Sequence, residues 1–181
     1  MTISIVAVSG SLRERSTNTR LLQEIGRLVD SRATFTLFDG VEGLPQFNPD
    51  KEGNPNSTTG TWISLVRNAD ALIVASPEYA HGIPGALKNA LDWLVGVDAF
   101  IEKPFCLYRA CTRSIFAPDA LVEVLCTMSG KHVVEADVTI DLRRTYEMSD
   151  AILSEAESRK KILSSIDCLW DFIQESLHDP H

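Results

Sequence analysis

Residues 3–19 read ISIVAVSGSLRERSTNT. The opening ISIVAV is mostly apolar and β-branched, the composition of a strand buried on both faces. It stops at Ser9 and Gly10. Just beyond, Leu21, Leu22, Ile25, Leu28 and Val29 recur at helical spacing, which predicts a helix over about residues 18–31. Two readings of the intervening loop stand side by side. It is an ordinary turn with Ser16 or Thr17 capping the helix, or it is a seat for a negatively charged group. A helix N-terminus presents unpaired N–H groups and a partial positive charge. Gly10 permits a tight turn, Ser11, Ser16, Thr17 and Asn18 offer donors, and Arg13 and Arg15 add charge that can grip a phosphate. Glu14 is the only acid in the stretch.

The same alternation continues along the chain. Strands are expected at Thr34–Phe38, at Ala71–Ala75 within ADALIVAS, at Phe105–Ala110 and within His132–Leu142. Helices are expected at Thr59–Asn68, Gly85–Val95, Asp119–Met128 and Ser154–Leu177. Gly40–Asn56, rich in Gly, Pro and Asn, reads as a long excursion with LPQFNPD at its centre. Alternating strands and helices predict right-handed crossovers and a parallel sheet covered on both faces. The expectation is an α/β three-layer sandwich of five strands in the flavodoxin-like order 2-1-3-4-5, formed by residues 1–181 as one domain. In such a sheet ligands bind beyond the carboxyl ends of the strands at the switch point. That gathers three loops: residues 9–17, 76–84 and 110–118.

The bulk composition narrows the function classes. The 181 residues carry a formal net charge of -8 and are 44% hydrophobic. An acidic balance argues against non-specific nucleic-acid binding, which needs a basic footprint, but one basic loop can still hold an anion. No apolar run approaches the roughly 20 residues of a membrane span, and no signal-peptide pattern is visible at the N-terminus. The four cysteines, at 106, 111, 126 and 168, lack metal-site spacing. Cys106, Cys126 and Cys168 lie in apolar surroundings and read as reduced core thiols. A cytoplasmic setting is the expectation.

Two familiar phosphate loops are excluded at residues 9–19. The dinucleotide fingerprint G-x-G-x-x-G is absent, because only Gly10 is present, and the triphosphate loop G-x-x-x-x-G-K-[ST] lacks its second Gly and its Lys. The loop suits one terminal phosphate. The second loop, within SPEYAHGIPGALKNALDW (residues 76–93), places Tyr79 beside backbone groups freed from the sheet. That combination can clamp a flat heterocycle. Glu78 and His81 are titratable, and each reads either as an acid/base group or as a structural or surface residue.

At this point SGSLRERSTNTRLL together with ASPEYAHGIPGALKNALDW resembles the NAD(P)H-dependent FMN reductase family, which includes quinone, chromate and azo-dye reductases. The resemblance covers about residues 3–140. It implies non-covalent FMN, with Ser11, Arg13, Ser16 and Asn18 holding the phosphate and Pro77, Glu78, Tyr79, Ala80 and Gly82 lining the ring. Arg109, Thr112 and Ser114, with Arg113, would approach the pyrimidine end. It implies hydride transfer from NADPH or NADH through FMN to a small acceptor, with no catalytic side chain and no metal. It also implies a homodimer or homotetramer with Lys88, Asn89, Asp92 and Trp93 at the contact. A flavodoxin-type electron carrier without its own NAD(P)H activity is the alternative. The chain departs from the family pattern at Ala80, where many members have Asn, and in the Gly-free third loop RACTRSIFAPDAL.

Overall fold

The computed structural model describes residues 2–29, 33–53, 55–142 and 155–178. At its centre β1 (Ile3–Ser9) pairs in parallel with β2 (Ala33–Phe38) on one side and β3 (Ala71–Ala75) on the other. β4 (Pro104–Arg109) follows β3, and β5 (Lys131–His132) and β6 (Val138–Thr139) both pair with β4. The order β2-β1-β3-β4-β5 is the one expected.

Strand pleating sorts the core into two halves. Ile3, Ile5 and Ala7 of β1, with Ala71, Ile73 and Ala75 of β3, face α1 (Thr17–Leu28) and the last helix, α5 (Ala156–His178). Val6, Val8, Leu72 and Val74 face α2 (Ser57–Asn68), α3 (Gly85–Val95) and α4 (Phe116–Thr127). Helices therefore cover both faces of the sheet. On the first side Tyr108 donates its hydroxyl proton to Ser165 Oγ at 2.7 Å, and Ser165 donates on to the Ala136 carbonyl, tying α5 to β4.

Three expectations are corrected. The single fifth strand within residues 132–142 is two dipeptides separated by a 3-10 turn at Val134–Ala136. Where the ladder is interrupted, Asp137 Oδ1 accepts from the Leu107 N–H at 2.7 Å. A side chain thus supplies an acceptor that a continuous strand would have supplied from its backbone. His132 braces the break, stacked on Phe105 at 4.9 Å and 3.1 Å from both oxygens of Asp137. Secondly, α4 begins at Phe116, three residues before the expected Asp119. Pro118 falls in its first turn, where the missing N–H has no partner to lose. Thirdly, Cys126 is exposed, because α4 turns Leu121 and Leu125 inward and carries its neighbour outward. Cys106 is buried as expected, while Cys168 and Cys111 are half-buried. Burial raises the Cys106 thiol well above its ordinary pKa, which leaves it unreactive.

α1 ends at Leu28, short of the expected helix, because Val29 turns to an extended backbone (φ -62°, ψ 127°) as its C-cap; residues 30 and 31, like the expected start of α5 at Ser154, lie outside the described residues. Among the described residues no helix is long and apolar enough to cross a membrane.

The excursion after β2 is held by α3. Asn89 accepts from the Phe47 N–H at 2.7 Å through Oδ1 and donates to the Pro45 carbonyl at 2.9 Å through Nδ2. Trp93 Nε1 donates to the same carbonyl at 2.9 Å, and its ring meets Phe47 edge-on at 5.2 Å. Asn89 and Trp93, expected at a subunit contact, are 7% and 2% exposed within this single chain. Lys88 and Asp92 pair with each other and keep 45% and 29% of their side-chain surface.

Candidate functional site

The loops after β1 and β3 meet because Gly10 lets them. Its N–H donates to the Ala75 carbonyl at 2.8 Å, and a Cβ there would lie 2.9 Å from Ser76 Oγ and 3.0 Å from Leu87 Cδ2. The first loop then folds back on its own hydroxyls. Ser9 Oγ accepts from the Ser11 N–H at 3.3 Å and from Thr19 Oγ1 at 2.8 Å. Ser16 caps α1, its Oγ accepting from the Thr19 N–H at 3.2 Å. The capping reading is therefore correct for Ser16. It leaves the N–H groups of Thr17 and Asn18, in the open first turn, without a backbone acceptor among the described residues.

Ser11, Arg13, Ser16 and Asn18 line one cleft of about 470 Å3 together with Arg15, Thr17, Pro77 and Tyr79. Six of the expected site residues thus share one cavity. Arg13 and Arg15 are exposed, whereas Asn18 is buried.

The rest of the second loop is a two-residue hairpin. Tyr79 and Gly82 exchange N–H···O=C bonds of 3.1 and 3.0 Å, and Ala80 and His81 between them take φ of 50° and 60°. This is the left-handed conformation that Asn and Gly favour in such turns. In Ala and His it costs about 1–2 kcal/mol each. Glu78, Ala80 and Gly82 are not lining residues of the cleft. Glu78 points to the third loop, and its Oε2 accepts from the N–H groups of Phe116 and Ala117 at 2.8 and 3.0 Å. Chiefly the Ala117 bond, and then that of Phe116, holds the Glu78 carboxyl below its usual range. Of the two sequence readings of Glu78, the geometry supports the structural one. His81 stacks on Phe116 at 4.2 Å between ring centres. The second and third loops are thereby clasped twice. Phe116 was missed in the sequence; its signal was an apolar residue beside the helix start in RSIFAPDAL.

Arg109, Thr112 and Ser114 also lie outside the cleft lining. Arg109 ends β4 opposite Thr139 of β6, and its Nε is buried with no acceptor among the described residues. Thr112 Oγ1 lies 3.4 Å from Asp141 Oδ2, and Ser114 is half-buried.

A parallel 2-1-3-4-5 sheet with an arginine- and hydroxyl-lined cleft at its switch point defines a flavodoxin-like protein. The flavoenzyme NAD(P)H:(acceptor) oxidoreductase FerB from Paracoccus denitrificans shares that fold, with a TM-score of 0.75 at 21% identity over 96% of this chain and 98% of its own. The pattern of the NADPH-dependent FMN reductase family matches residues 3–152, and the chain belongs to that family. It is 40% identical over 93 residues to an NAD(P)H-dependent FMN reductase of Pseudomonas aeruginosa, covering 50% of this chain and 49% of that one. It is 36% identical over 93 residues to the 2-hydroxy-1,4-benzoquinone reductase of a Burkholderia species, covering 51% and 50%. The chain spans about half the length of the curated relatives it matches.

The residues present fit FMN. The open amides of Thr17 and Asn18, with Arg13 beside them, match a terminal phosphate, and Arg109 Nε, at the start of the third loop, is a buried donor with no acceptor among the described residues.

Proposed function

We propose that the protein is an FMN-binding, NAD(P)H-dependent oxidoreductase that passes a hydride to a small acceptor such as a quinone, free flavin or chromate. The observation that carries this reading is the shared cleft, in which a phosphate-type helix start and the Tyr79 loop face one cavity. Family membership and the names of the flavin and benzoquinone reductases support it.

In this reading Ser11, Arg13 and Asn18 hold the FMN phosphate with the first-turn amides of α1, while Ser16 works as the cap that keeps those amides in place. Pro77 and Tyr79 flank the ring. Ala80 and Gly82 fix the hairpin behind them, and Glu78 anchors it to α4. Arg109 supplies its unused Nε–H to the pyrimidine end, and Thr112 and Ser114 border that end of the site. The bound flavin would supply the hydride chemistry, so the chain needs no nucleophile of its own.

The reading extends to a cytoplasmic homodimer or homotetramer. Its contact would use the half-buried Lys88 and Asp92, with Asn89 and Trp93 acting from inside by holding the Pro45–Phe47 segment in shape.

Purified protein should be yellow and should bleach when NADPH or NADH is added without oxygen. Benzoquinone should then sustain steady turnover. Flavin binding with negligible turnover would instead give the flavodoxin-type carrier. Colourless protein that takes up no FMN would overturn the proposal.

A further inference from the structure

A second cavity of about 210 Å3 runs along α1 beside the phosphate-type loop. It is rimmed by Arg15, Arg20 and Arg27 and by the carboxylates of Glu14 and Glu24. Its volume is below the roughly 300–1,000 Å3 of a complete ligand pocket, the size for part of a ligand. Arg15 and Ser16 line both this groove and the larger cleft, so one molecule can lie across the two.

Glu24 is the unusual member. It is 3% exposed, on a helix whose neighbouring Leu21, Leu22 and Ile25 are in the core. Arg27 Nη1 donates to its Oε1 at 2.7 Å, while its Oε2 is buried with no partner among the described residues. A buried carboxylate oxygen without a donor is costly. The groove therefore calls for a ligand that brings a donor to Oε2. Three arginines disfavour a cationic donor. Glu24 itself disfavours a plain anion. A hydroxyl on a molecule that also carries a phosphate satisfies both conditions, and a ribose phosphate has that chemistry.

Resting on the oxidoreductase reading above, we propose that this groove seats the adenosine ribose of the pyridine dinucleotide. The 2′,3′-diol donates to Glu24 Oε2, and Arg15 holds the pyrophosphate where the groove joins the cleft. A carboxylate that accepts from the 2′-hydroxyl repels a 2′-phosphate at the same place. The groove therefore selects NADH over NADPH.

Two measurements test this on the full chain. The first compares NADH with NADPH as kcat/KM for benzoquinone reduction by the flavin-loaded enzyme. The second titrates the protein calorimetrically with 5′-AMP and with 2′,5′-ADP, which needs no turnover. The wild type should favour NADH and bind 5′-AMP the more tightly. Glu24→Gln should lower both preferences about tenfold, the scale of one hydrogen bond to a charged group. Because Glu24 is buried, the exposed Arg15→Ala provides a second variant, which should weaken 5′-AMP about tenfold. Preferences unchanged in Glu24→Gln, or 5′-AMP affinity unchanged in Arg15→Ala, would assign Glu24 Oε2 to a buried water and overturn the inference. Failure to bind FMN would be a separate result, counting against the oxidoreductase reading while the 5′-AMP titration still decides the groove.

Discussion

The carboxylate of Glu78 lies 2.8 Å from the backbone nitrogen of Phe116, the residue whose ring carries the imidazole of His81. One loop thus caps the helix that begins the next, and the stacked rings close the join from the other side. The α4 N-terminus has a partial positive charge that favours the ionised carboxylate. The depressed carboxyl pKa of Glu78 has the same origin as the clasp. Its contribution is fully present above the ordinary glutamate range and is lost as pH falls through the lower folded value. Glu78→Gln should therefore unfold at lower temperature than the parent at neutral pH, and the gap should close on acidification through that range. Thermal unfolding followed from pH 7 down to about pH 3 checks this. A gap that stayed constant with pH would remove the charge from the explanation.

The hairpin predicts an asymmetry between two adjacent residues. Ala80→Gly relieves a left-handed φ of 50° with no side-chain contact to lose beyond a methyl group. It should stabilise the protein by about 0.5–1 kcal/mol, strain relief outweighing the added freedom of the unfolded chain. His81→Gly relieves a similar φ of 60° but forfeits the Phe116 stack. Its gain should be smaller or absent. Urea midpoints of the two variants, compared directly, decide the point.

Gly10→Ala addresses the meeting of the first two loops. The new Cβ would lie within 2.9 Å of Ser76 Oγ and 3.0 Å of Leu87 Cδ2, contacts that force a shift. Overpacking of this kind costs about 1–3 kcal/mol. The same shift separates the loops lining the cleft, so flavin affinity should fall alongside stability. Fluorescence titration with FMN and urea unfolding report the two effects. A stable variant with unchanged flavin binding would show that the approach at Gly10 does not shape the cleft.

Arg13 is exposed on the cleft wall, so its replacement leaves the core untouched. Arg13→Ala should weaken FMN by about 1.5–3 kcal/mol, the range for a hydrogen bond to a charged group, with the urea midpoint unchanged. Equal flavin affinity in the variant would place Arg13 outside the phosphate seat.

Much of this architecture could be read from the chain because its punctuation is local. β3 and α3 lie at Ala71–Ala75 and Gly85–Val95 as expected, each bounded by residues that stop one pattern before the next begins. The Ser16 cap and the clustering of Arg13, Asn18 and Tyr79 followed from the strand–loop–helix order. What could not be read depends on distant partners. Asn89 is spent on backbone 42 and 44 residues away, which no spacing rule reveals. Ala80 and His81 are not residue types that announce a left-handed turn. The stretch VVEADVTIDL keeps strand composition through its break, because the cause is a side-chain bond from Asp137 to a neighbouring strand. Glu24 sits among the apolar helical positions of α1 and looks like a solvated charge until its burial is seen.

The interruption near Asp137 also shapes the margin of this sheet. Among the described residues, the margin beyond β4 consists of two dipeptides with a 3-10 turn between them. Such a margin has no continuous row of free backbone donors and acceptors on which another polypeptide could be templated. That border resists strand-by-strand accretion, the route by which flat parallel sheets propagate into fibres.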